Sequence, residues 1–125
     1  MVEKIHILMI DDDPLMRRLF GAQLVKEGYE IIYAIDGNEG REMARRLQPN
    51  LILIDYRMPV MNGLEAAGRM KEEEETKKIP IIMLTNEDFS LEDQKALKEI
   101  GVSEYVHKGD DFKVLAESVK KVLGK

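Results

Sequence analysis

The chain has 125 residues, 44% of them hydrophobic, and this length is typical of one domain, so we expect residues 1–125 to form a single domain. With 24 acidic and 19 basic residues the net charge is −5, which disfavours direct binding to nucleic acid. Cysteine is absent and the apolar runs are short, which excludes disulfides, cysteine nucleophiles and membrane-spanning segments. We expect a soluble, cytoplasmic protein that does not bind membranes.

Short apolar runs alternate with amphipathic segments along the chain. The apolar runs predict five strands, at Ile5–Ile10, Ile31–Ile35, Leu51–Ile54, Ile81–Leu84 and, more weakly, Tyr105–Val106. Apolar residues at helical spacing predict five helices, over residues 14–27, 38–47, 63–71, 91–100 and 112–123. Strands without polar alternation are typical of a parallel sheet covered on both faces. The pattern predicts a doubly wound α/β fold with strand order 2-1-3-4-5 or a Rossmann-like order.

Several predicted helix ends carry characteristic residues. Asp13 before Pro14 is a strong start signal, because the aspartate can cap the helix and proline fits its first position. Gly28 and Gly101 follow predicted helix ends, where a left-handed residue is favoured. The acidic run Glu72–Glu75 is most simply a solvated, fraying end of the third helix.

Polar residues collect where the predicted strands end. Asp11 and Asp12 follow the first strand, Asp55 the third, Thr85 the fourth and Lys108 the fifth. In an open α/β sheet, ligands bind beyond the carboxyl ends of the strands. Carboxylates that converge there repel each other unless a cation neutralises them, and oxygen ligands without His or Cys suit Mg²⁺. A nearby lysine adds a positive charge for a phosphoryl group.

Four motifs in this order and spacing resemble the receiver domain of bacterial two-component response regulators: IDDDPLMRRL, LILIDYRMPVMNGLE, IIMLTN and YVHKGDD. The resemblance covers nearly the whole chain. It implies a five-stranded parallel sheet of order 2-1-3-4-5 with five helices, as in flavodoxin. It also implies that an aspartate accepts a phosphoryl group from a sensor histidine kinase or phosphotransfer protein. Such a domain is not an enzyme in the usual sense, since it catalyses only its own phosphorylation and dephosphorylation.

The resemblance implies a role for each matching residue. Asp55 would be the phosphoacceptor and Thr85, Tyr105 and Lys108 would be the switch hydroxyl, the switch aromatic and the phosphoryl-binding lysine. The Mg²⁺ ligands would be Asp11, Asp12, Asp55 and the backbone carbonyl of Arg57. The output surface would be helix four, strand five and helix five.

Two features of this chain add expectations of their own. The family usually has Lys-Pro, commonly with a cis bond, where this chain has Lys108-Gly109, so we expect a trans bond here with Gly109 supplying backbone freedom. Arg57, Asn86 and Glu87 lie on the loops beside Asp55 and Thr85, and we expect them to gate water and slow self-dephosphorylation. We expect Arg57 and Glu87, which have opposite charges, to form an ion pair across the opening.

Three alternatives compete with this interpretation. The first is a receiver-like scaffold that works without phosphorylation, but such a chain would typically lack the acceptor or the acidic pair. The second is a nucleotide or flavin binder, which would need a glycine-rich phosphate loop where this chain has Asp11–Asp13. The third is a metal-dependent phosphatase, whose nucleophile would follow strand one in an aspartate–x–aspartate arrangement with an apolar or aromatic spacer, which Asp11–Asp13 lack.

Overall fold

The structure is a computed structural model that describes residues 4–124, in which five strands alternate with five helices. The strands are β1 His6–Ile10, β2 Glu30–Ala34, β3 Leu51–Asp55, β4 Ile81–Thr85 and β5 Glu104–His107. The helices are α1 Pro14–Lys26, α2 Gly37–Leu47, α3 Gly63–Glu72, α4 Leu91–Ile100 and α5 Phe112–Leu123.

All strand pairs are parallel, and the sheet has the order β2-β1-β3-β4-β5. This confirms the predicted flavodoxin-like order and excludes the Rossmann-like alternative. The chain passes from β1 outward to β2, then returns across the sheet to β3, so the connections after β1 and β3 leave in opposite directions. The carboxyl ends of β1 and β3 therefore border the cleft at the switch point of the sheet, where such folds bind ligands.

Two buried layers hold the helices against the sheet. On one face, residues of α2, α3 and α4, such as Ala44, Met70 and Leu97, pack on side chains such as Ile52 and Ile54. On the other face, α1 and α5 cover a second layer. Every residue of β3 and β4 is buried. This explains why these strands are apolar runs without alternation.

Every predicted strand and helix boundary lies within one residue of the boundary in the structure. Asp55 and Thr85 are the last residues of β3 and β4 rather than the first residues of loops, because each still pairs with the neighbouring strand. Asp13 caps α1 as predicted, its side chain accepting from the backbone N–H of Leu15 at 2.9 Å. Gly28 and Gly101 have φ values of +99° and +92°, as their predicted positions after helix ends require.

The acidic run after α3 is more structured than predicted. The helix does end at Glu72, but Glu73 is only partly exposed and its Oε1 accepts a hydrogen bond from Nε of Arg41 in α2 at 3.2 Å. Glu74 pairs with Lys77 at 2.8 Å. Glu72, Glu74 and Glu75 are exposed, as the predicted solvated end requires, so only Glu73 departs from the prediction, because its ion pair with Arg41 leaves it partly buried.

Candidate functional site

The register of the sheet places the carboxylates that follow β1 beside the carboxylate at the end of β3. Ile10 pairs with Ile54, so Asp11 and Asp55 lie side by side at the ends of β1 and β3. Asp11 is fully buried, Asp55 is 5% exposed, and Asp12 is exposed. One carboxylate oxygen from each of the three lies within 4.8 Å of the others.

Asp11 is held by its surroundings on two sides. Its Oδ1 accepts from the backbone N–H of Asp13 at 2.9 Å, and its backbone carbonyl accepts from Nη1 of Arg17 at 2.7 Å. Sequence reasoning missed Arg17. A basic residue four positions after the helix cap was the available signal, because that spacing returns a side chain to the first turn of the helix.

Lys108 completes the buried cluster. Its Nζ lies 2.9 Å from Oδ2 of Asp11 and 3.1 Å from Oδ1 of Asp55, and its side chain is 4% exposed. Its backbone N–H donates to the carbonyl of Thr85 at 2.7 Å, which ties the residue to the end of β4. The peptide bond between Lys108 and Gly109 is trans, as predicted. The φ of Gly109 lies outside the left-handed region, however, so glycine is not required there by a positive φ.

The cluster is electrostatically costly when no cation is bound. Burial, reinforced by the charge of Asp11, raises the pKa of Asp55 to about 6, although Lys108 and a backbone hydrogen bond from Arg57 act in the opposite direction. Burial alone would lower the pKa of Lys108, but its hydrogen bond to Asp11 and the charges of Asp11 and Asp55 raise it. One lysine thus compensates only part of the negative charge of three carboxylates.

This donor set fits a hard divalent cation. The site offers only oxygen ligands, in the number and closeness that Mg²⁺ accepts while it keeps water in its remaining positions. The start of α3 also lies close to the cleft, since a Cβ on Gly63 would come within 2.3 Å of the backbone oxygen of Asp55. Glycine at position 63 is therefore required by this close approach.

Thr85 and Tyr105 lie on the neighbouring strands β4 and β5. The Thr85 hydroxyl accepts from the backbone N–H of Glu87 at 2.9 Å and donates to the carbonyl of Glu87 at 3.2 Å. Tyr105 is 41% exposed, with its ring 5.2 Å from the ring of Phe89. Phe89 in turn meets Tyr56 edge-on at 5.0 Å. No local pattern in the sequence predicts this aromatic row, because only the fold brings the three rings together.

The three predicted gating residues lie on the loops that follow β3 and β4. Nε of Arg57 donates to Oε1 of Glu87 at 2.6 Å, and both side chains are exposed. The Arg57 guanidinium also lies over the ring of Tyr56, 5.6 Å from its centre. Asn86 is exposed between Thr85 and Glu87. The ion pair predicted between Arg57 and Glu87 is present, while the effect of the three residues on phosphate lifetime stays a prediction.

Comparison with known proteins decides the family. The sequence model of the response regulator receiver domain matches residues 7–120. The chain belongs to this family. Receiver domains are signalling phosphoacceptors of two-component systems rather than classical enzymes, they bind Mg²⁺ at an acidic pocket, and they interact with histidine kinases or phosphotransfer proteins.

Two relatives differ in how much of their length this receiver covers. Protein PilH of Pseudomonas aeruginosa is 32% identical over 94% of the chain and 97% of PilH. The DNA-binding dual master transcriptional regulator RpaA of Synechocystis is 33% identical over 94% of the chain, but the match spans only 48% of RpaA. The same receiver sequence thus resembles a single-receiver protein and one half of a longer regulator.

Solved structures agree with the fold. The chemotaxis response regulator CheY4 of Vibrio cholerae has a TM-score of 0.89 and 29% identity, with 96% of this chain and 99% of CheY4 covered. The receiver domain of sensor histidine kinase PA1611 from P. aeruginosa has a TM-score of 0.87 and 26% identity, covering 98% of this chain and 100% of that one, and holds a magnesium ion in its active-site cleft. Among the described residues of our receiver, every helix is too short or too polar to cross a membrane.

Proposed function

We propose that this receiver accepts a phosphoryl group on Asp55 from the phosphohistidine of a sensor histidine kinase or phosphotransfer protein. The observation that carries the proposal is the grouping of Asp11, Asp12 and Asp55 in one cleft, with Nζ of Lys108 paired to Asp11 and Asp55. Phosphoryl transfer depends mainly on positioning and on charge neutralisation, and this cleft supplies groups for both. We further propose that residues 1–125 act as one receiver domain in the cytoplasm, without direct nucleic-acid contact.

In the proposed reaction, a carboxylate oxygen of Asp55 attacks the phosphorus atom. The bond between phosphorus and the imidazole nitrogen of the partner breaks, its electron pair stays on the imidazole, and an aspartyl phosphate forms. Asp55 must be ionised for this step. With a pKa of about 6 it is largely ionised above pH 7, yet less strongly solvated than an exposed carboxylate.

Asp11, Asp12, Asp55 and the backbone carbonyl of Arg57 would hold Mg²⁺, which when bound would neutralise charge on the phosphoryl oxygens. Lys108 is placed to contact a further phosphoryl oxygen, since its Nζ already lies 3.1 Å from Oδ1 of Asp55. Its short, charge-assisted contacts to two buried carboxylates orient the ammonium group before any phosphate arrives.

The switch would begin at Thr85. To donate a hydrogen bond to the phosphoryl group, its hydroxyl has to give up the bond that it now donates to the carbonyl of Glu87, and we expect the loop between β4 and α4 to shift as the hydroxyl turns. Phe89 lies in that loop and packs on Tyr105, which therefore moves together with Phe89 rather than alone. The shift would change the surface formed by α4, β5 and α5, where a downstream protein would bind.

Intact-mass measurement after incubation with acetyl phosphate and Mg²⁺ tests the proposal. We expect the parent to gain one phosphoryl group and Asp55→Asn to gain none. Asp88→Asn, which changes an exposed aspartate in the next loop, is the matched control and should label like the parent. Equal labelling of Asp55→Asn would place the acceptor elsewhere. A parent that takes no phosphate would favour the receiver-like scaffold instead.

A further inference from the structure

The turn after β5 determines where the side chain of Lys108 starts. The backbone N–H of Asp110 donates to the carbonyl of His107 at 3.0 Å, which closes a four-residue turn with Lys108 and Gly109 in its central positions. The Lys108 side chain leaves this turn toward the buried carboxylates. A change in the turn would therefore shift the point from which the Lys108 side chain reaches toward Asp55.

The sequence lacks the residue that usually stiffens this turn in receivers. A proline after the lysine, with a cis bond, occupies the third position of a type VI turn and restricts the backbone there. Gly109 leaves the turn less restricted, because glycine has the largest backbone freedom. The bond between Lys108 and Gly109 is trans. Gly109 also carries a backbone N–H, which proline lacks, and this donor needs a partner.

His107 supplies that partner. Its Nδ1 accepts a hydrogen bond from the backbone N–H of Gly109 at 3.0 Å. A side-chain acceptor that binds the N–H two residues later is the arrangement by which Asn and Asp stabilise turns. His107 thus binds the turn twice, through its ring nitrogen to Gly109 and through its carbonyl to Asp110.

Packing at Gly109 gives a second observation. A Cβ added to this glycine would lie 3.1 Å from Nδ1 and 3.2 Å from Cε1 of His107, which is tighter than ordinary van der Waals contact. The imidazole ring therefore rests directly on the glycine. A side chain at position 109 would therefore need the His107 ring to shift by a few tenths of an ångström.

We propose that His107 is a positioning residue that replaces the missing proline: its Nδ1 holds the turn at Lys108 and Gly109 and so sets the ammonium of Lys108 against Asp11 and Asp55. The inference rests on the proposed role of Lys108 in phosphoryl transfer. It requires the neutral imidazole with its proton on Nε2, because Nδ1 must be free to accept. That Nε2 lies 4.0 Å from Oδ1 of Asp88, the carboxylate nearest to the ring.

The first test does not involve phosphorylation. In ¹⁵N-labelled, unphosphorylated protein at pH 8, we expect the ring nitrogens of His107 to report protonation at Nε2, and the Gly109 amide to exchange slowly with solvent. The Gly109 amide should exchange about fivefold faster in His107→Val, whereas His107→Asn should retain most of the protection because the Asn side-chain oxygen can accept the same hydrogen bond. Protonation at Nδ1, or unchanged exchange in His107→Val, would overturn the proposal.

The second test follows the rate of phosphorylation by acetyl phosphate in Mg²⁺. We expect His107→Val to react about fivefold more slowly than the parent, and His107→Asn to stay within about twofold. His6→Val, at the opposite end of the sheet, is the matched control for loss of a partly exposed strand histidine. Thermal melts verify that each variant is folded. Equal rates for His107→Val and the parent would show that the turn does not act through Lys108.

Gly109→Pro provides the deciding comparison. Gly109→Pro removes the N–H from which Nδ1 of His107 accepts a hydrogen bond. Adding His107→Val to Gly109→Pro should therefore change the phosphorylation rate by less than about twofold. A further fivefold loss in the double variant would mean that His107 acts by another route, and would overturn the proposal. If the parent itself takes no phosphate, the proposed function fails, while the amide exchange and ring protonation still decide whether His107 holds the turn.

Discussion

Replacing the proposed phosphoacceptor with asparagine should stabilise the metal-free protein. Asp55 is nearly buried beside Asp11, and its pKa is raised to about 6 by burial first and by the charge of Asp11 second. The ionised form is therefore disfavoured by the fold. Asparagine has nearly the same shape and no charge, so Asp55→Asn removes this penalty while it leaves Lys108 paired with Asp11.

The direction of the pH dependence follows from the raised pKa. Between the ordinary value of 3.8 and about 6 the folded protein binds the proton more tightly than the unfolded chain does, so the parent loses stability as pH rises through this window. The full difference corresponds to about 3 kcal/mol at ~1.36 kcal/mol per pH unit. Asp12 is exposed at the same cleft, so water screens part of the charge, and we expect a gain of about 1–2 kcal/mol for Asp55→Asn at pH 8.

Urea unfolding with EDTA at pH 8 and pH 4 measures this gain as a difference between variant and parent. The gain should shrink at pH 4, where Asp55 in the folded parent is protonated. Asp88→Asn is the control, and its free energy of unfolding should lie within about 0.5 kcal/mol of the parent at both pH values. If Asp55→Asn is less stable than the parent at pH 8, the attraction of Lys108 outweighs the repulsion and the reasoning is wrong.

Three further predictions concern the same cleft. Asp12→Ala should lose most of the Mg²⁺-induced rise in melting temperature, because it removes a metal ligand. Its stability without metal should not fall, because the change also removes one repelling charge. An undiminished Mg²⁺-induced rise would place the metal elsewhere. Lys108→Met should lower the free energy of unfolding of the metal-free protein by about 3–5 kcal/mol in urea unfolding, since it leaves two buried carboxylates without the lysine ammonium. A loss below about 1 kcal/mol would contradict this prediction. Asn86→Ala should speed the decay of phosphorylated protein once the donor is removed, and Arg57→Ala or Glu87→Ala should change the decay rate at least about twofold. If all three variants decay at the parent's rate, these side chains do not gate the access of water to the phosphoryl group.

The fold was predictable because its local signals agree with one another. Buried parallel strands need apolar residues on both faces, and every residue of β3 and β4 meets that need except the last of each, Asp55 and Thr85. Asp13 before Pro14, and glycine after α1 and α4, marked helix ends through backbone chemistry that acts within a few residues. The edge strand β5 was less clear, since its residues are only partly buried and so give a weaker apolar signal.

Contacts between distant residues could not be predicted in the same way. The pairing of Arg41 with Glu73 and the aromatic row through Phe89 join residues that no local pattern relates. Even the pair of Arg57 and Glu87 was predicted only after the resemblance had placed their loops on either side of one cleft. Such contacts follow from the order of the strands, so they become accessible to reasoning only after the topology is known.

The candidate site is the place where the sequence departs from what stability alone would favour. Three carboxylates at neighbouring strand ends raise the energy of the metal-free fold, and a buried lysine offsets only part of that cost. Residues that break local rules in this way point to a binding or catalytic role. The same reasoning applies to Lys108–Gly109, where a flexible residue follows the one lysine that must be held in place. The chain can tolerate that flexibility only if another group restrains the turn, and the Nδ1 of His107 is in position to do so.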